Sequence, residues 1–185
     1  MWRTIFLGIY LSCAGCGVAP QPESSKTVGA YEVPLHNEQD RREFLALVDR
    51  EAQAEGMHLD AASTEELEQT SQAMPLAAMT MHAAVWRGPE DEDSEATIMD
   101  QHDHLGLVWV MFSKGENPSL AARFRQRVMN KIMGRWPETQ TLPIMPTGAI
   151  PLHRDLQRTP NGYLVEPSAA ATYELPPTSP LIARD

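Results

Sequence analysis

Three histidines near the two ends of one predicted hairpin have side chains that could bind a metal ion or transfer protons. His82 lies in one extended stretch, and His102 and His104 stand two positions apart at the start of another. Residues i and i+2 of an extended chain point to the same side, so this pair could share a metal with an acidic neighbour. The competing interpretation is that all three are solvated residues where a loop meets a strand. We therefore predict no metal, no cofactor and no catalytic residue, and His82, His102 and His104 are the candidates to check.

The only two cysteines of the chain, Cys13 and Cys16, follow a short apolar run near its first residue. That run, residues 5–11, is too short to cross a bilayer as a helix, which takes about 20 apolar residues. Arg3 precedes the run, and Ala14-Gly15-Cys16 follows it. A positive start, a short apolar run and small residues before a cleavage point are typical of a signal peptide.

This segment resembles the signal peptide and lipobox of bacterial lipoproteins. The resemblance implies cleavage before Cys16, a thioether-linked diacylglycerol on its sulfur and an acylated amino terminus. Cys13 is the alternative attachment residue, and it stands where a lipobox usually has Leu. More than one acyl chain gives a stable membrane anchor. Gly17 follows Cys16, and in Gram-negative lipoproteins the absence of Asp there favours the outer membrane, so we expect a domain facing the periplasm.

Composition limits the kinds of partner. Cleavage before Cys16 would leave about 170 residues, enough for one domain with a real core. The net charge is −10, which argues against nucleic-acid binding through phosphates and against a domain that lies flat on anionic lipid. The expected membrane partner is therefore reached through the lipid, and no nucleic-acid partner is expected.

Two amphipathic segments, residues 37–55 and 118–134, predict the main helices. Asn37 and Asn117 are good N-caps, and proline at position 118 suits the first helical position. Residues 63–72 predict a third helix at the surface, with Ser63 and Glu66 at the spacing of a capping box. Residues 57–61, just before it, could form a short strand.

Two further stretches predict the central strands. Residues 78–87 alternate between two faces, and residues 105–112 are the most continuous apolar run after the signal segment. We interpret them as an antiparallel pair joined by the acidic residues 88–104. Residues 141–145 could add an edge strand, and a parallel arrangement would make a right-handed βαβ unit of residues 105–145. The predicted fold class is α+β, a small, mostly antiparallel sheet packed by two main helices.

The predicted organisation has four parts. Residues 1–15 are the signal peptide, and residues 16–36 are a lipidated flexible tether. Residues 37–145 form the α+β domain. Eight of the fifteen prolines lie between positions 143 and 180, so residues 146–185 are expected to wrap the domain irregularly, with a loose end. A short edge strand containing Val28, Tyr31 and Val33 is the alternative for part of the tether.

We expect a non-enzymatic binding or structural module with an envelope protein or a cell-wall polymer as partner. A basic helix face, Arg123, Arg127 and Lys131, could contact an anionic partner or pair with the acidic connection. One alternative is an enzyme that acts on envelope material through a histidine-based acid–base or metal site. Another is an immunity- or inhibitor-type protein whose acidic loop binds a basic partner.

Overall fold

The computed structural model describes residues 23–73, 80–88, 94–101 and 104–184. The predicted signal segment with Cys13 and Cys16 lies outside the described residues, and so do residues 89–93 of the acidic connection, His102 and Asp103. The fold is an α+β mixture, as the sequence predicts. Among the described residues, no helix is long and apolar enough to span a bilayer.

Six antiparallel strands form the main sheet of the described chain, in the order β2-β3-β4-β5-β1-β6. Two further strands, β7 and β8, form a separate hairpin. The strands are β1 (Thr27–Pro34), β2 (His58–Ala61), β3 (His82–Trp86), β4 (Ala96–Gln101), β5 (His104–Ser113), β6 (Gln140–Thr141), β7 (Leu156–Thr159) and β8 (Gly162–Val165). The helices are α1 (Glu38–Gln53), α2 (Thr64–Ala73) and α3 (Pro118–Arg135).

The helix predictions are confirmed within a residue or two at each end. The Asn37 side chain accepts a hydrogen bond from the backbone N–H of Asp40 at 2.9 Å, and Asn117 caps α3 in the same way. Helices α1 and α3 lie on one face of the sheet, where their apolar stripes bury against alternate residues of the strands. The largest fully buried side chains of this first core include Phe44, Val48, Ile98, Val108, Val110, Phe112, Phe124 and Ile132.

A strand that was not predicted, β4, lies between the two central stretches. β3 pairs with β4, and β4 pairs with β5, so residues 78–87 and 105–112 are not direct neighbours. Ala96 and Ile98 are fully buried on the helix side of the sheet. The alternation of apolar and polar residues in β4 is short and lies among acidic residues, so the sequence pattern does not reveal a strand there. The prediction of a single long loop between the two stretches is wrong.

The expectation of a flexible tether over residues 16–36 is wrong for residues 27–34, which form strand β1. Residues 27–34 pair with β5 from Thr27 opposite Ser113 to Pro34 opposite Leu107. Val33 and Leu35 are fully buried against the helices, so the segment contributes to the core. It is not an edge strand either, because the two-residue strand β6 pairs antiparallel with its other side. Because β1 is antiparallel to both β5 and β6, β5 and β6 run in the same direction with β1 between them. The predicted parallel crossover of residues 105–145 through α3 therefore forms, and it ends in the two-residue edge strand β6.

The C-terminal layer, which we define as residues 142–184, covers the other face of β1 and β5. Its apolar residues form a second core with Ala30 and Trp109, and this core includes Leu142, Leu156, Tyr163, Val165, Leu175 and Ile182. The expected loose end is wrong for the described residues, because the Ala183 N–H donates to the carbonyl of Val165 at 2.9 Å. Regular structure here is limited to the β7-β8 hairpin and two 3₁₀ turns, and the apolar residues between the prolines are still buried.

Candidate functional site

A buried carboxylate, Glu32, connects the sheet to the C-terminal layer. Strand alternation places it beside Ala30, on the face opposite Val33. Only 3% of Glu32 is exposed. The indole N–H of Trp109 donates to Glu32 Oε2 at 3.1 Å, and the hydroxyl of Tyr163 donates to Oε1 at 2.7 Å. Each carboxylate oxygen therefore has a donor from a different element.

His153 completes this group, which we call the glutamate cluster: Glu32, Trp109, His153 and Tyr163. The His153 Nε2 atom lies 3.1 Å from Glu32 Oε2. The imidazole stacks on Trp109 at 6.5 Å between ring centroids and meets the Tyr163 ring edge-on at 5.4 Å. Aromatic packing thus fixes the donors in place around the carboxylate.

Burial and the neighbouring Glu32 carboxylate raise the pKa of Tyr163 to about 12. The phenol therefore stays protonated and keeps donating its hydrogen bond at any ordinary pH. The cluster holds the C-terminal layer on the sheet, since it joins residues of β1, β5, β8 and the 3₁₀ turn His153–Asp155. The only local sign of it in the sequence is an acidic residue inside an apolar strand, and nothing near Tyr163 or His153 pointed to Glu32.

A second buried carboxylate, Asp100 of β4, binds the backbone of the residues just before β3. It is 2% exposed and accepts hydrogen bonds from the backbone N–H groups of Thr80 and Met81 at 2.8 and 3.0 Å. The Thr80 hydroxyl also donates to it, and Arg41 of α1 approaches within 3.9 Å. Asp100 therefore stabilises the backbone rather than forming part of a solvated loop.

Glu95 is another acid that the structure places in the interior. It is 4% exposed, and its Oε1 atom accepts a hydrogen bond from Arg87 Nε at 3.2 Å. Its other oxygen packs against Gly115, where a Cβ atom would collide with it. The expectation of a wholly solvated acidic connection is therefore wrong for Glu95 and Asp100.

The basic face of α3 pairs mainly with α1. Arg127 donates to Glu51 at 2.8 Å and to Glu55 at 2.7 Å, and Lys131 lies 3.4 Å from Glu51. Burial by itself would raise the pKa of Glu51, but the hydrogen bonds from Arg127 and Lys131 lower it below its ordinary value. Within the described part of the chain, this face pairs with α1, and Arg123 remains exposed; pairing with residues 89–93 of the acidic connection stays a prediction. Much of the charge of the predicted partner face is thus neutralised.

The predicted histidines begin different strands. His82 is opposite Met99 of β4, and His104 is opposite Gln101, so β4 separates β3 from β5. Burial lowers the pKa of His82, and the nearby Asp60 carboxylate opposes part of that shift, so burial favours the neutral imidazole. Within the described ranges, no three His, Cys, Asp or Glu side chains are grouped to hold a metal. The shared site with His102 stays a prediction.

A cleft of about 100 Å³ lies between α1, α2 and the start of β3. Its lining includes Arg41, Arg42, Leu45, Leu67 and His82. Ligand pockets usually measure about 300–1,000 Å³, so this cleft has room for a few water molecules or a small group only.

A comparison with models of known protein families, with curated proteins and with solved structures finds no match.

Proposed function

We propose that this chain is a bacterial outer-membrane lipoprotein, anchored through lipid on Cys16, whose domain acts on the periplasmic side as a non-enzymatic binding or structural module. One observation carries the proposal. A short apolar run, residues 5–11, leads directly into Ala14-Gly15-Cys16, and the chain has no cysteine after this segment. Lipidation would therefore leave the domain without a thiol and without a disulfide.

The contacts inside the domain support a non-enzymatic role. Glu32, Asp100 and Glu51 are buried carboxylates, and each accepts hydrogen bonds that join separate parts of the fold. A catalytic carboxylate needs access to a substrate, whereas these three serve the packing of helices, sheet and C-terminal layer. The cleft beside His82 is smaller than an ordinary substrate pocket.

The test is the intact mass of the full-length chain expressed in a Gram-negative host, measured after membrane fractionation. Wild type, Cys16→Ala and Cys13→Ala form a matched set. We expect a lipid-sized mass increase on wild type and on Cys13→Ala, with both in the outer membrane. Cys16→Ala should lose the lipid and the mature, membrane-bound form. An unlipidated wild-type protein in the soluble fraction would overturn the proposal.

A further inference from the structure

The described chain enters the domain at Glu23, and its first residues are held firmly by the turn between β5 and α3. The Lys114 N–H donates to the carbonyl of Lys26 at 2.8 Å, and the Gly115 N–H donates to that of Ser24 at 2.9 Å. The Lys114 ammonium also pairs with the Glu23 carboxylate at 2.8 Å. Little slack therefore remains between Glu23 and the body of the domain.

Six residues separate Cys16 from Glu23. Even when fully extended, the seven steps between their Cα atoms span at most about 25 Å. A tether up to residue 36 would have reached roughly 70 Å by the same rule. The strand β1 therefore shortens the maximum extended reach to about a third of that of a tether ending at residue 36.

We propose that one end of the domain rests against the phospholipid head groups of the membrane that holds the anchor. This anchor end consists of residues 23–26, 113–117 and 146–148. The last of these belongs to the same end because a Cβ atom at Gly148 would lie 3.4 Å from Lys26 Cγ. The inference rests on the proposed lipid at Cys16, and it adds which surface meets the membrane.

The side chains of the anchor end suit an interface of head groups. Lys26 and Lys114 flank Glu23, and the hydrogen bond and charge of Lys114, with the charge of Lys26, lower the pKa of the Glu23 carboxyl. Each lysine near an anionic lipid surface contributes about 1 kcal/mol, and Glu23 opposes part of this. The short linker keeps this end within about 25 Å of the anchored Cys16, and the lysines favour its contact with the head groups only modestly.

The other end of the domain then points away from the membrane. β1 runs from the anchor end at Thr27 to Pro34, a distance of about 23 Å at 3.3 Å per residue. His36, the start of α1 and the cleft beside His82 all belong to this distal end. A periplasmic partner would therefore reach the cleft without competing with the bilayer.

Single cysteines for a fluorescent label test this orientation, because the lipidated chain has no free thiol. Thr147→Cys labels the anchor end and His36→Cys labels the distal end, and both residues are exposed. The lipidated variants are reconstituted in phospholipid vesicles that carry nitroxide on their head groups. We expect Thr147→Cys to be quenched about twofold or more over His36→Cys, because some 23 Å of strand separates them. Equal quenching, or stronger quenching at His36→Cys, would overturn the orientation.

A lengthened linker tests whether the short distance between Cys16 and Glu23 brings the anchor end to the membrane. Fourteen Gly and Ser residues inserted after Gln21 would raise the maximum reach to roughly 75 Å, so quenching at Thr147→Cys should fall towards that at His36→Cys. Unchanged quenching would show that the linker does not set the contact. The intact mass of each variant is measured first. Missing lipid contradicts the proposed function, whereas lipid on Cys16 with no difference between labels contradicts the orientation alone.

Discussion

Replacing Glu32 with Gln tests whether the glutamate cluster holds the C-terminal layer on the sheet. Gln has the same shape, but it has one acceptor oxygen in place of two. Tyr163 and Trp109 each donate to a different oxygen of Glu32, at 2.7 and 3.1 Å. In the variant, one of these donors must face an amide NH₂ group. The indole N–H of Trp109 can only donate, so it would lose its acceptor there, whereas the Tyr163 hydroxyl can turn to accept from the NH₂ group.

The expected cost follows from the hydrogen bonds lost. A hydrogen bond to a charged group contributes about 1.5–3 kcal/mol, and a buried donor left without an acceptor costs about 1–3 kcal/mol. These terms overlap, so we expect Glu32→Gln to lower the free energy of unfolding by about 2–4 kcal/mol. For a domain of this size, that corresponds to a fall in Tm of about 4–16 °C.

Urea unfolding of residues 23–185, followed by circular dichroism, measures the change. Glu138→Gln is the matched control, because Glu138 is exposed close to β6. Tyr163→Phe removes one donor and should cost about 1–2 kcal/mol. Combined with Glu32→Gln in a double-mutant cycle, it should show a coupling energy of about 0.5–3 kcal/mol. A cost for Glu32→Gln below about 0.5 kcal/mol, or additive single costs, would refute the role of the cluster.

Three further predictions concern titration, a glycine and an ion pair. The folded state raises the pKa of Tyr163 from 10 to about 12. The hydrogen bond of the protonated phenol therefore stabilises the fold fully below pH 10, and this stabilisation is lost as the pH rises towards 12. Absorbance titration of wild type and Tyr163→Phe measures the pKa of Tyr163. Gly115→Ala should destabilise the fold more than Gly56→Ala, because both glycines have positive φ but only Gly115 packs against the Glu95 carboxylate. Thermal unfolding of the two variants compares their stabilities. Equal losses of stability would contradict this packing. Arg127→Ala should lower the urea midpoint by removing donors to the buried Glu51 carboxylate, whereas Arg123→Ala should change it little. Equal shifts in the two variants would argue against the pairing.

Local signals predicted the helices well. Asn37 and Asn117 act as caps in the structure, and the apolar stripe of α3 is buried as its spacing indicates. The capping box of α2 also forms, since the Ser63 N–H donates to Glu66 at 2.8 Å. Such signals can be read from a few neighbouring residues, and no distant contact overrides them here.

The sheet was harder to predict because its stabilising partners are distant in sequence. Strand β1 looks like a tether by composition, and only its pairing with β5 and its place between two cores make it central. The acids Glu95 and Asp100 look solvated among their acidic neighbours. Their burial depends on Arg87 and on the backbone before β3, which no local pattern indicates.

The glutamate cluster could not be predicted at all from local pattern. Glu32 and Tyr163 are 131 positions apart, and Trp109 lies between them in sequence. Each residue has an ordinary local context, and the site exists only once the C-terminal layer has folded back. The candidate histidines were more visible in the sequence, yet the structure places His82 and His104 on strands that β4 separates.

The position of β1 in the sheet also governs when the fold can form. Thr27 cannot pair with Ser113, and Glu32 cannot bind Tyr163, until those later residues have been synthesised; Tyr163 follows Glu32 by 131 residues. At about 5–20 residues per second, roughly 7–26 s of synthesis pass before that last contact becomes available. Contacts so distant in sequence also make folding slow, because chain entropy is lost before they form. A chain exported by threading would thus keep its early segments open for translocation, and the sheet would close after release on the far side.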